Sequence, residues 1–95
     1  MFLLLSRYVK PVEEIDRVLP EHRAFLDRYY KSGLFIVSGP KEARVGGVIL
    51  TADASRSEIE AALAEDPFVR ENISEYEIVE FQATKRAEWF PDAVK

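Results

Sequence analysis

Two short runs of this chain, Phe2-Leu3-Leu4-Leu5 and Leu34-Phe35-Ile36-Val37, are apolar without alternation. A β-strand turns successive side chains to opposite faces of its sheet. A strand that is apolar in both sets therefore needs cover on both faces. In a chain of 95 residues this demand is hard to meet, because a domain of that size buries only about 60–65% of the surface its unfolded chain exposes. The remaining segments decide what is available to do the covering.

Phe2 to Tyr8 reads as the first strand, stopped by Lys10-Pro11. From Val12 to Ser32 the apolar residues Ile15, Val18, Leu19, Phe25, Leu26, Tyr29 and Tyr30 fall at the spacing of an amphipathic helix. Pro20 interrupts it and predicts a kink or a restart, since proline lacks the backbone donor and crowds the preceding turn. Gly33 supplies the left-handed stop. Leu34–Ser38 and Val45–Leu50 then read as a hairpin around the polar connection Lys41–Arg44. The Gly46-Gly47 pair marks a bulge or a place where something approaches the backbone closely. Ser55-Arg56-Ser57-Glu58 is a capping box opening a second helix. That helix turns Ile59, Ala62 and Leu63 inward and is expected to end at Asp66-Pro67. Glu75–Phe81 reads as the last strand.

The order β-α-β-β-α-β predicts an α+β, ferredoxin-like domain: a four-stranded antiparallel sheet with two helices on one face. One face then lacks cover. At about 25 cal/mol per Å2, an open apolar face of several hundred Å2 is costly and prone to aggregation. The simplest remedy is a second copy packed sheet against sheet, so a homodimer is expected. A single domain spans residues 1–95, and its tail, 83–95 with Trp89-Phe90-Pro91, is expected to pack on the partner subunit.

Thirteen basic and seventeen acidic residues give a formal charge of −4. That sign argues against a binder of nucleic-acid backbones. The topology is shared with RNA-recognition domains, but no interleaved basic and aromatic strand motif is present. No cysteine is present, which excludes disulfides and thiolate chemistry, and a single histidine limits imidazole metal binding to one ligand per chain. Glu13, Glu14 and Asp16 read as a solvated first turn favourable to the helix dipole, not as a metal site. There is no phosphate-cradling loop. No stretch reaches the roughly 20 apolar residues of a membrane helix, and Met1–Leu5 lacks the flanks of a signal peptide. A cytoplasmic protein using no metal and no cofactor is the expectation.

His22 lies four residues after Val18 and four before Leu26, on the sheet-facing side of the first helix. Asp66 follows Ala62 by four and Leu63 by three, which turns a carboxylate inward where an unpaired charge is expensive. With the two helices antiparallel, the end of the second lies beside the early part of the first, and the two residues converge. A carboxylate on one ring nitrogen fixes the tautomer and stabilises the imidazolium, leaving the other nitrogen as general base or acid. The alternative is structural: a satisfied core histidine and an aspartate that caps the turn at Pro67.

The segments Pro20–Leu26, Gly33-Leu34, Ser38-Gly39-Pro40, Gly46-Gly47, Ser55–Glu58, Asp66-Pro67-Phe68 and Ile78–Phe81 together resemble the YciI-like (YCII-related) proteins. The likeness runs in order from the first strand to the last. It implies a bacterial, cytoplasmic, dimeric α+β barrel with a site built on a histidine and an aspartate, which map onto His22 and Asp66. One such relative is a dehydrochlorinase acting on a hydroxylated aromatic. Relatives by fold include muconolactone isomerases and cofactor-poor monooxygenases. Substrate does not transfer with fold.

The expected function is that of a small cofactor-independent enzyme in which His22, oriented by Asp66, moves a proton on a small, aromatic-derived or unsaturated acid. The competing expectation is a non-catalytic module that binds a small ligand or a protein in the same cleft, with the pair structural. Ser38 either brings a hydroxyl to the pocket rim or ends a strand. Arg7 either meets an anionic substrate or stands as an edge charge. Tyr8, Tyr29 and Tyr30 either line an aromatic pocket or belong to the core.

Overall fold

The computed structural model describes residues 1–90. Phe2–Tyr8 form strand β1, Val12–Ser32 helix α1, Phe35–Pro40 strand β2 and Gly47–Thr51 strand β3. Arg56–Leu63 form helix α2, Pro67–Arg70 a short helix α3 and Ser74–Glu80 strand β4. The sheet order is β2-β3-β1-β4 and every pairing is antiparallel. This is the expected ferredoxin-like α+β arrangement, with α3 added. Of the two runs that lack alternation, Phe2–Leu5 lies in the central strand β1 and Leu34–Val37 leads into the edge strand β2.

Register assigns the faces. Phe2, Leu4, Ser6 and Tyr8 of β1 share one side with Ile49 of β3 and with Ile78, Tyr76 and Ser74 of β4. Helices cover this inner side. One core cluster joins Phe2, Leu4, Phe35 and Ile49 to Phe25 of α1 and to Ile59 and Leu63 of α2. A second joins Ile15 and Val18 of α1 to Phe68 of α3 and to Ile73. His22 stands on α1 between Val18 and Phe25, at the seam between the clusters.

Pro20 does not break α1, which runs unbroken from Val12 to Ser32. The missing N–H deprives the carbonyl of Asp16, four residues earlier, of its donor. Both residues are exposed, so water can reach that carbonyl, while Ile15, Val18 and Phe25 are buried on the opposite side of the helix and hold it to the core. Gly33 ends the helix in the left-handed region at φ 87°.

The hairpin lies later in sequence than its hydrophobicity suggests, at residues 35–40 and 47–51. A single turn of 3-10 helix, Glu42–Arg44, connects the strands, with Ala43 and Arg44 in left-handed conformation. Within β2 the register slips between Phe35, opposite Thr51, and Val37, opposite Leu50. The extra residue, Ile36, is a bulge that reverses the alternation. Phe35 thus reaches the core, Val37 faces outward, and Ser38 returns to the inner face opposite Ile49.

Helix α2 opens with the expected reciprocal capping box of Ser55 and Glu58. It stops at Leu63 instead of continuing to Asp66. Proline disfavours helical backbone in the residue before it, and Asp66 accordingly takes ψ 120°. Pro67 then serves as the first residue of α3, where a missing N–H costs nothing.

Gly46 is a position of close approach. A Cβ placed there would lie 1.9 Å from the backbone oxygen of Ser6. Segment 45–46 passes beside the end of β1, where the Tyr8 N–H donates to the Val45 carbonyl at 2.9 Å. Gly46→Ala must push backbone against backbone. It is expected to cost about 1–3 kcal/mol of unfolding free energy, measured by urea denaturation, whereas Gly39→Ala, with open space around its Cβ position, is expected to cost less.

Candidate functional site

Beyond the large apolar residues Phe2 and Leu4, the inner side of the sheet changes character. Ser6 and Tyr8 of β1, Gly47 beside them, Tyr76 of β4 and Ser38 of β2 are small or polar, and the core does not close over them. A cavity of about 430 Å3 opens there between the sheet, α1 and α3. Leu19, His22, Arg23 and Leu26 form its α1 wall and Phe68 its α3 wall. The volume is within the ordinary range for small-molecule sites.

His22 lines this cavity, and Asp66 is buried behind it. The His22 Nδ1–H donates to Asp66 Oδ1 at 2.8 Å. The same oxygen accepts from the Phe68 backbone N–H at 2.9 Å, and the Tyr76 hydroxyl donates to Oδ2 at 2.8 Å. The carboxylate is fully buried, while the histidine side chain keeps 13% exposure. A carboxylate at Asp66 can only accept, which assigns the proton to Nδ1 and leaves the Nε2 lone pair without a partner among the described residues. No buried side-chain polar atom among the described residues lacks a hydrogen bond, so Nε2 is accessible. The ring is also clamped: it stacks on Phe68 at 4.0 Å between centroids with planes 8° apart.

Local sequence explains each placement. Asp66 is turned inward not by helical spacing but as the N-cap of α3, its carboxylate folded back over the Phe68 N–H. Its capping role and its bond to His22 coexist, so the two readings of the pair are not exclusive. His22 follows the buried stripe Ile15, Val18, Phe25 at i, i+3, i+4 spacing. Tyr76, overlooked from sequence, faces inward because it pairs with Ser6. Burial first, then the Asp66 charge, pushes its hydroxyl well above the ordinary tyrosine range, so it stays a proton donor.

The other expected site residues divide. Ser38 lines the cavity, its hydroxyl bonded to that of Tyr30. Tyr8 lines it as well, packed edge-on against Phe68. Burial raises its pKa from 10.0, partly opposed by the Arg44 charge. Arg7 does not reach the cavity: as an odd-numbered residue of β1 it projects from the outer face, where it pairs with Glu75 at 2.8 Å. Tyr29 and Tyr30 pack around Phe35 instead of lining the cavity. Asp16, read as part of a solvated turn, lines the cavity mouth and holds Arg44 at 2.7 Å. Arg23 and Arg44 are the cationic wall residues missed from sequence. Arg23 was legible as the residue four after Leu19 and three before Leu26. Among the described residues, no group of three or more His, Cys, Asp or Glu side chains is placed to hold a metal ion. No helix among them is long and apolar enough to cross a membrane.

A four-stranded ferredoxin-like sheet with a histidine and a buried carboxylate at the edge of its helix-covered face defines a small α+β pocket domain. A family model, the YCII-related domain, matches residues 1–82, and the chain belongs to that family. No curated protein matches it in sequence. Among solved structures it is similar to 5-chloro-2-hydroxyhydroquinone dehydrochlorinase from Burkholderia phenoliruptrix AC1100, in complex with 2,5-dihydroxybenzoquinone. The TM-score is 0.72 at 17% sequence identity, over 86% of this chain and 94% of the other. At that identity the likeness establishes the shared fold.

Tyr76→Phe removes one donor from a buried carboxylate and is expected to cost about 1–3 kcal/mol of unfolding free energy at neutral pH. The hydroxyl also carries a pH signature. Folded Tyr76 keeps its proton where the unfolded chain, titrating near pH 10.0, releases it. Its contribution is therefore complete below pH 10 and lost as pH rises above it. Chemical denaturation from pH 8 to 11 is expected to show a shallower alkaline decline for Tyr76→Phe than for the parent chain.

Proposed function

We propose that this protein is a cofactor-independent enzyme in which His22 transfers a proton on a small ring-derived or unsaturated acid, as a lyase or isomerase. The observation that supports this reading most is the pairing of Nδ1 with a fully buried carboxylate while Nε2 stays accessible beside a cavity. Nε2 takes a proton from an acidic O–H or C–H of the substrate, and the imidazolium so formed faces Asp66 at 2.8 Å. Returning that proton to another atom of the same molecule is an isomerisation. Releasing it to water while a leaving group departs with its electron pair is an elimination. Neither needs an oxidant or reductant. The dehydrochlorinase named above, of the same fold and bound to a dihydroxybenzoquinone, supports the second route. The apolar residues Leu19, Leu26 and Phe68 suit a ring, and the Tyr8 hydroxyl, bonded to no described residue, suits an oxygen substituent.

Chloride release from 5-chloro-2-hydroxyhydroquinone, above the rate in buffer, tests the elimination. His22→Gln is expected to lower the protein-dependent rate at least a hundredfold, the usual scale of general acid–base catalysis, with an unchanged circular dichroism spectrum. Equal rates for the folded variant and the parent chain would make the pair structural and favour a non-catalytic binding module.

We further propose that the protein is a homodimer formed through the outer face of the sheet. Leu3, Leu5, Val48 and Leu50 are half-buried there, while Val37 and Val79 remain exposed, Val37 by 55%. The central rows pair Leu3 with Leu50 and Val79, and Leu50 with Val37. A second copy would remove this apolar surface from water. Trp89, 81% exposed, is proposed to close over the partner subunit; Pro91 and the rest of the tail lie outside the described residues. Light scattering at micromolar concentration is expected to give twice the 10.9 kDa chain mass, and Leu50→Arg to give a folded monomer. A monomeric parent chain would refute the dimer.

A further inference from the structure

Three formally charged side chains line the cavity, Asp16, Arg23 and Arg44, and a fourth, Asp66, is fully buried beside the cavity-lining His22. All but one of these four have partners inside the protein. Asp66 takes the donors described above, and Asp16 and Arg44 hold each other across the cavity mouth. Arg23 makes no ion pair and no hydrogen bond with any described residue. Arg23 is thus the charged residue of the cavity wall that has no partner among the described residues.

Its place in the fold gives that charge a direction. Arg23 follows His22 directly and lies on the same stretch of α1 as Leu19 and Leu26, both cavity-lining. An exposed arginine in the same cavity wall as His22 and the apolar Leu19 and Leu26 matches a molecule with an apolar body and one anionic end. The planar fork of N–H donors pairs best with a carboxylate, which it can bind through two parallel hydrogen bonds. Arg44 is not equivalent. Its bond to Asp16 raises its own pKa, and a ligand anion would have to displace that carboxylate.

We propose that Arg23 is the anion-binding residue of this pocket and that its ligand is a small monoanionic carboxylic acid with a ring or unsaturated body. This rests on the reading of the cavity as a small-molecule site. Arg23 sets which acid is held and where its body lies relative to Nε2; it takes no part in the proton transfer itself.

Benzoate and benzamide are matched probes, alike in ring and size and different in charge. The sequence holds a single histidine, so its imidazole NMR resonances report on His22 without ambiguity. Titrations of the full chain at one pH and low salt are expected to show benzoate moving those resonances with roughly three- to tenfold tighter binding than benzamide. Added salt is expected to narrow the difference. Arg23→Gln is expected to equalise the two probes, Arg23→Lys to keep part of the preference, and Arg44→Gln to keep all of it. Arg23 is exposed on a helix, so these variants are expected to retain the parent melting temperature. Benzoate preference that survives in Arg23→Gln would overturn the assignment and leave the cavity reading standing. Parent protein in which neither probe moves the His22 resonances at millimolar concentration would overturn both.

Discussion

The fully buried carboxylate of Asp66 is the constraint from which the rest of the pocket follows. A carboxylate removed from water is strongly unfavourable unless hydrogen bonds replace its hydration. Three donors do so here, each from a different element: His22 from α1, Tyr76 from β4 and the Phe68 backbone N–H from α3. Satisfying one charge thereby fixes how three elements meet. The same bonds determine the histidine's tautomer and, with Phe68 stacked on its ring, its orientation. The imidazole cannot turn away from the cavity without leaving a buried charge short of a partner. Orientation of the imidazole is therefore carried by the same interactions that hold the fold together.

The sheet is graded along its length on both faces. On the inner side β1 runs Phe2, Leu4, Ser6, Tyr8, and the partner strands follow it, from Ile49 to Gly47 and from Ile78 to Tyr76 to Ser74. On the outer side it runs Leu3, Leu5, Arg7, flanked by Val79, Glu77 and Glu75. One end is apolar on both faces; the other is small or polar inside and charged outside. The helices close over the apolar end, where Phe25, Ile59 and Leu63 reach the sheet. The polar end leaves the cavity, and Gly46 and Gly47, lacking side chains, let the β2–β3 connection pass close to β1 without filling it.

Much of this was legible in the sequence, because periodicity and capping are local. The bounds of β1, the α1 stripe that places His22, the Gly33 stop and the Ser55–Glu58 capping box all depend on residues within a few positions of one another. Gly46-Gly47 also announced a close approach, though not its partner, the Ser6 carbonyl. What failed depends on contacts distant in sequence or on a change of parity. The bulge at Ile36 reverses the face of every later residue in β2, and nothing in an unbroken apolar run marks it. Arg7 was assigned by its position at a strand end, yet the parity of β1 sends it to the outer face. Pro20 was expected to disturb α1, but its solvent-facing side spares the buried contacts. Asp66 reached the expected place for a different reason: Pro67 ends the helical backbone before it, and the aspartate turns inward as a cap.

That last difference matters for the chemistry. Had the helical backbone of α2 continued through Asp66 and Pro67, the Phe68 N–H would have donated to the backbone carbonyl four residues earlier. Breaking the helix at Pro67 frees that N–H to hold Oδ1 and leaves Oδ2 for Tyr76. The carboxylate is thus held by fixed donors from α3 and β4 besides the histidine. The His22 ring thus faces, at 2.8 Å, a carboxylate that two other donors already hold in place. A short helix of four residues is in this way what lets an aspartate lie fully buried with both carboxylate oxygens hydrogen-bonded beside His22.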